Sequence, residues 1–492
     1  MALTLCSMTT MAQTDTTLTY RMELSGTAGS GHFAPMWFTA NRYGLSSEQP
    51  NSGYLRAGLT YSKSFGRGWH IGAGLDLAGA INSPSAFMVQ QAYADLSWRV
   101  LHLTVGSRER GPLGKNPSLS SGGMVEGNNA RPVPQVRAEI PYYYTVPGTR
   151  GWFAFKGHIA YGRFVDDRWQ EDFAQDVRQP YLEDVLYHSK ELMLKVGNPR
   201  RFPLEAEVGL LMSAQFGGKL HTFSGDKEKV TTMPHGLKSY AKVFVAKSGG
   251  DSTPTGDQVN VEGNHLGSWN FALTWHGSSW QVRAYYEHFF DDHSQMFLEY
   301  GRWKDGHLGF EVTLPKNSWV STLLWEGLCT KQQSGPILYD GDSRFGDVSN
   351  LAYAGKQISA KDNYYNNFYY QSWQHYGYVM GNPLLYSPIY NSNGSLTLRS
   401  NRLRSNHWAF SGNPSAEWSY RVLMSYTLHW GCYTNPLDEV TKQFSSLYEV
   451  SYSPRWCNGW TFTAAAGVDH GRFLGNNVGG MLTIRKEGIC IR

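Results

Sequence analysis

The chain has 492 residues, of which 14% are aromatic and 17% charged, with a formal net charge of +4 and a mean hydropathy of −0.43. Near-balanced charge without a dense Lys/Arg block speaks against a nucleic-acid partner, and no apolar run approaches the roughly 18–20 residues of a membrane helix. A charged fraction below the roughly 25% of soluble domains, with abundant Tyr, Trp and Gly, fits strands that turn every second residue to lipid.

A length prior would divide this chain into about three domains, but one closed sheet can use all of it. Residues 1–12 are small and apolar, and Thr10-Met11-Ala12 before Gln13 fits a cleavage site. This segment reads as the remnant of an export signal, although the basic start of such a signal is missing. Residues 13–492 are then a single barrel domain. Cys329, Cys432, Cys457 and Cys490 are too scattered for a disulfide framework or a zinc cluster.

Period-two alternation dominates from the first strand to the last. Leu18, Tyr20, Met22 and Leu24 alternate with Thr19, Arg21 and Glu23; after Gly66-Arg67-Gly68, Trp69, Ile71, Ala73, Leu75 and Leu77 alternate with His70, Gly72, Gly74 and Asp76. Read along the chain, strands are expected at 17–26, 53–64, 69–80, 87–98, 100–107, 135–146, 151–163, 187–197, 202–215, 267–276, 280–290, 306–314, 319–330, 402–411, 418–430, 445–453, 459–469 and 479–488, with at most a short helix at 236–247. An even count lets the first and last strands pair antiparallel, and closure leaves no backbone edge unpaired in lipid. The connections alternate between short turns and longer segments such as 27–52, 108–134, 216–266 and 331–401, as in barrels with short periplasmic turns and long outer loops. The expected fold is therefore all-β: a closed antiparallel transmembrane barrel of about 18 strands, with long loops partly filling its lumen.

A second regularity coincides with the first. Trp69, Trp98, Trp152, Trp280, Trp319, Trp418 and Trp460 stand beside seven of the eight short turns, and Phe202 beside the other. Indole rings favour the membrane–water interface, with the ring in the apolar layer and the N–H toward water. The alternate positions are polar or small, among them Arg56, Thr60, His70, Asp76, Tyr93, Asp95, His158, Glu205, Glu207, Arg283, Glu287, Glu311, Glu449 and Asp469. They fit a hydrated lumen, which segments 108–134 and 331–401 are long enough to plug.

No metalloprotease, nucleophile-elbow or phosphate-loop motif is present. Glu287, His288, Asp291, Asp292 and His293 include metal-ligand types, as do Asp340, Asp342 and Asp347 around two glycines, but a solvated loop suits both clusters better. His158, His188 and His429 are read as inward, and a hydrolase would need one of them beside a Ser or Asp. Segment 361–391 stands apart: Tyr364, Tyr365, Phe368, Tyr369, Tyr370, Trp373, His375 and Tyr376 are interleaved with Asn and Gln. Aromatic faces stack on the C–H faces of sugars while amides bind hydroxyls, so Tyr364, Tyr365, Tyr369, Tyr370, Trp373 and His375 form the expected glycan-binding set. The other reading of this segment is a plug packed inside the barrel, and the two are compatible.

The motifs PMWFTANRYGLS (35–46), GSRERG (106–111), GNHLGSW (263–269), TLPKN (313–317), GNPLLYSPIYN (381–391) and GNNVGGMLTIRKEG (475–488) carry a resemblance to the capsule-assembly Wzi family of Gram-negative outer-membrane proteins. It runs over nearly the whole mature chain. The resemblance implies an eighteen-stranded barrel whose outer loops bind capsular polysaccharide and help hold it at the cell surface, without catalysis and without a cofactor or metal. It implies an outer-membrane location, contact with membrane lipid and lipopolysaccharide, and a monomer. Two features depart from the family pattern. The helical periplasmic extension of enterobacterial members has no counterpart here, and Ile491-Arg492 replaces the usual terminal aromatic. The alternative function is a porin-like channel for small solutes or oligosaccharides.

Overall fold

The computed structural model describes residues 16–246, 262–291, 304–315, 319–333 and 362–491, with Met296 and the short strands Ile337–Tyr339 and Lys356–Ile358. Eighteen antiparallel strands form one sheet closed on itself. In chain order they are β1 Thr16–Ser30, β2 Ser52–Phe65, β3 Trp69–Ile81, β4 Phe87–Trp98, β5 Leu101–Ser107, β6 Gln135–Thr145, β7 Phe153–Arg163, β8 Leu186–Val196 and β9 Leu204–Phe216. They continue as β10 Asn264–His276, β11 Gln281–Asp291, β12 Gly306–Thr313, β13 Thr322–Cys329, β14 Leu403–Gly412, β15 Trp418–Gly431, β16 Pro436–Tyr452, β17 Trp460–Gly471 and β18 Asn477–Ile491. Each strand pairs with its neighbours in sequence. β1 meets β18 from Leu18↔Ile491 to Ser30↔Val478 and so closes the ring.

All eighteen expected strands are present. The largest boundary difference is β16, expected from 445 and beginning at Pro436. Its first stretch includes exposed Asp438, Glu439 and Lys442 and pairs with the end of β15. A hairpin wet on both faces shows no apolar alternation, which was the signal used to find strands. The short helix expected near 236–247 is present at Leu237–Val245.

Alternation sorts the two faces. Outward Leu24, Leu55, Leu59, Leu75, Leu192, Leu273 and Leu482 are exposed, while Glu23, Arg56 and Asp76 on the same strands, and Arg137, His158 and Glu287 on others, are buried toward the lumen. A large exposed apolar exterior around a polar interior suits a bilayer. Trp69, Trp98, Trp280, Trp319, Trp418 and Phe202 lie exposed at the turn end, with Trp69 against Trp98 at 6.0 Å between ring centroids and Trp418 stacked on Tyr452 at 4.5 Å. This is an aromatic girdle at the end that faces the periplasm in outer-membrane barrels. Among the described residues no helix is long and apolar enough to cross a membrane; the strands do the crossing.

At the loop end are the helices α1 Met36–Thr39, α2 Trp169–Ala174 and α3 Leu237–Val245. A three-stranded sheet of Tyr181–Glu183, Lys219–Ser224 and Lys227–Thr232 stands there too.

Candidate functional site

Three loop-end segments turn back into the barrel and pack together: residues 33–51, 108–134 and 362–402. The first was not expected to take part, although Met36-Trp37-Phe38, an apolar run in a loop, is the signal that could have revealed it. Their apolar side chains form one core, with Met36, Trp37 and Phe38 against Leu119, Met124, Val125, Trp373, Leu384 and Tyr390. The segments also satisfy one another's backbone groups. Trp373 Nε1–H donates to Val125 O at 2.7 Å, Asn129 Nδ2–H to Val379 O at 2.8 Å and Tyr378 O–H to Ser46 O at 2.9 Å. Asn41, Tyr43, Tyr365, Gln371 and Tyr376 hold left-handed backbone conformations. Each costs roughly 1–3 kcal/mol and persists only where the surroundings impose it.

Charged lumen residues anchor this plug to the wall. Met36 N–H donates to Asp469 at 2.9 Å, Ser121 N–H to Glu326 at 2.7 Å, Met124 N–H to Glu287 at 3.0 Å and Tyr365 N–H to Asp291 at 2.9 Å. Arg42 reaches Glu449 at 3.0 Å, Arg56 bridges Asp76 and Glu109, and Lys115 pairs with Glu287. A carboxylate on a strand receiving a loop N–H fixes that loop's depth in the barrel, because a buried charge left unpaired is costly.

The six residues expected to bind glycan divide sharply. Tyr364, Tyr365, Tyr370, Trp373 and His375 are buried, none above 3% exposed. None of these five presents a ring face to solvent. Trp373 stacks on Tyr187 at 6.3 Å and meets Phe164 edge-on at 6.1 Å, while Tyr364 and Tyr365 both pack edge-on to Phe289. Alternation of aromatics with amides does not distinguish a ring that binds a ligand from one that packs a plug. Tyr369 is half-buried at the surface, and beside it Phe368 is 86% exposed, edge-on at 5.0 Å. Asn367 fixes this turn, its side-chain oxygen accepting from the N–H groups of Tyr369 and Tyr370 at 2.9 and 3.0 Å.

His375 is a pH-sensitive fastening within the plug. Burial pushes its pKa down to about 4 from the ordinary 6.5, although the carbonyls of Arg131 and Val165, each 2.9 Å from a ring nitrogen, favour the charged ring. Below pH about 6.5 the unfolded chain takes a proton that the folded ring refuses until pH about 4, so stability is lost as pH falls through that window. Wild type should lose about 2–3 kcal/mol more than His375→Gln between about pH 7.5 and about pH 4.5, as read from urea unfolding of the plug. Glu48, Asp166 and Asp305, raised by burial, titrate in the opposite sense, so the comparison with the variant isolates His375. Equal pH dependence in the two proteins would remove this role.

The other candidate residues are engaged in packing. Glu287 is held by Lys115 and Met124, and among the described residues no group of three His, Cys, Asp or Glu side chains could hold a metal ion. Asp292, His293, Asp340, Asp342 and Asp347 lie outside the described residues. His158 does face the lumen, with Nε2 2.8 Å from Ser189 Oγ and Nδ1 3.1 Å from Glu191. The Arg137 guanidinium, which can only donate, also contacts Nδ1 at 2.9 Å. His429 is buried against Phe473 at 4.3 Å. His188 was expected to face inward and is instead on the outer wall: Tyr187 and Ser189 take the lumen side, and His188 stacks on outward Tyr161 at 4.4 Å.

No family model matches the chain, and no curated protein matches its sequence. Solved structures do match in shape. The Escherichia coli protein Wzi, described as an outer-membrane protein involved in group 1 capsule assembly and a carbohydrate-binding β-barrel, is 12% identical with a TM-score of 0.56, over 95% of this chain and 83% of that one. OprD of Pseudomonas aeruginosa is 8% identical with a TM-score of 0.46, over 97% and 96%. The likeness to Wzi is one of fold, and it agrees with the closed ring, the apolar exterior and the aromatic girdle: the chain is an outer-membrane β-barrel.

Proposed function

We propose that this protein binds exported capsular polysaccharide at its outer face and helps its assembly or attachment at the surface of a Gram-negative cell, as a non-enzymatic member of the Wzi family. The observation that carries this reading is the plug. Loop segments that fill the lumen leave the barrel better suited to present a fixed outer surface than to pass solutes. Phe368 and Tyr369, which directly follow Asn366 and Asn367, are the part of the aromatic segment that offers ring faces to a sugar chain. The buried five residues support that turn from below.

Binding of purified capsular polysaccharide to the detergent-solubilised barrel tests the reading. Phe368→Ala/Tyr369→Ala should weaken binding at least tenfold while the barrel stays heat-modifiable, since neither ring belongs to the buried core. Wild type failing to bind the capsule of its own cell would overturn the function, and equal binding by the variant would overturn the site. The channel alternative draws on a cavity of about 470 Å³ beside Arg21, Asp76, Tyr93 and Glu487. It predicts steady ion conductance by the wild type in planar bilayers, which the plugged reading does not.

A further inference from the structure

Alternation on β8 sends Tyr187, Ser189, Glu191 and Met193 into the lumen and turns His188 and Lys190 toward lipid. An outward lysine costs about 2–4 kcal/mol at the bilayer midplane and little near its edge. Lys190 precedes Val196, the turn end of β8, by six residues. That is about 20 Å along the strand at roughly 3.3 Å per residue, or about 15 Å of height at the usual tilt, just above the middle of a belt about 25 Å tall.

The helix α3 covers this spot from outside. It buries Ser239 and Val243 against the wall, sets Tyr240 against Tyr161 and Phe216 at 5.2 and 5.1 Å, and brings Phe244 over His188 at 5.8 Å. The Lys190 ammonium donates to the Phe244 carbonyl and lies 5.0 Å from the Phe244 ring centroid. The opposite side of the helix carries Leu237, Ala241 and Val245, an i, i+4, i+8 stripe, with Leu237 89% and Val245 62% exposed. A helix in water turns such a stripe inward, whereas one lying in a membrane interface shows it to the acyl chains. Beside Phe244 of the helix, an apolar groove of about 400 Å³ runs along the barrel wall over Ile159, Leu192, Leu210 and Trp269, with Lys190 among its lining residues. The helix adds Lys238 and Lys242, and the nearby carboxylate of Glu262 is engaged by Lys242 at 3.2 Å.

We propose that this groove is a lipopolysaccharide site: an acyl chain lies along the barrel wall beside Phe244, and a phosphate of the lipid anchor is held by Lys190, with Lys238 and Lys242 adding positive charge from the helix. The charge fits an anionic, multiply acylated lipid, and the long Lys190 side chain, rising from just above the middle of the belt, carries its ammonium toward the leaflet in which that lipid resides. The inference is independent of any polysaccharide at the loop face.

Native mass spectrometry of the full-length protein in detergent, with purified lipopolysaccharide or phosphatidylglycerol as probe, tests it. Wild type should retain one lipopolysaccharide, and Lys190→Met/Lys238→Gln should retain at least tenfold less. Val245→Asp, on the exposed stripe and away from the barrel core, should weaken retention as well and serves if the lysine variant does not fold. Equal retention by wild type and variants overturns the site, and equal retention of phosphatidylglycerol overturns the assignment to lipopolysaccharide.

Discussion

Replacing Trp373 with Ala should destabilise the plug by about 3–5 kcal/mol, the usual cost of a large aromatic truncated in a core. The ring is fully buried between Tyr187 and Phe164, and its N–H satisfies Val125 O at 2.7 Å. Truncation thus opens a cavity and strands a buried carbonyl, which alone costs about 1–3 kcal/mol. The strand ladders make no use of Trp373, so the variant should remain a heat-modifiable barrel while amide exchange in 362–402 accelerates. Ion conductance in planar bilayers should rise above that of wild type, because the segment that fills the lumen would open far more often. Unchanged exchange and conductance would show that Trp373 does not hold the plug.

The second large effect is expected at Lys115. Its side chain and that of Glu287 are 2% and 4% exposed, and the ammonium also reaches Gly122 O at 3.1 Å and His307 Nδ1 at 2.9 Å. Lys115→Met leaves the Glu287 carboxylate buried with the Met124 N–H and little else. Breaking a buried pair from one side costs about 3–5 kcal/mol, whereas removing both charges costs much less. Urea unfolding, followed by protease cleavage within 108–134, should therefore rank Lys115→Met below Lys115→Met/Glu287→Gln. The reverse order, or a loss under about 1 kcal/mol for the single variant, would mean that this pair does not anchor the segment.

The barrel was legible because lipid on one face and water on the other force a two-residue period, and because Trp69, Trp98 and their counterparts mark one rim. Pattern reading failed where the two faces of a strand meet the same medium, as at Pro436–Lys442. The plug was only half legible. The length of 331–401 pointed to it, but burial of Tyr364, Tyr365 and Trp373 depends on partners such as Phe289, Val125 and Tyr187, all distant in sequence. The outward turn of His188 follows from the register of β8; a one-residue error in that register exchanges lumen for lipid, and this is how His188 was misread.

The plug also dictates an order of events during biogenesis. Residues 33–51 leave the ribosome and the export channel long before 362–402, yet Trp37 and Phe38 belong to the core that the later segment completes. The ring itself closes only when β18 reaches β1, a contact across almost the whole chain, and such distant contacts form slowly. Until then the early segment exposes its aromatics to water, where unpaired strands and apolar loops aggregate. A barrel sealed by its own loops thus needs a chaperone most at its N-terminal third, well before the last strand is available.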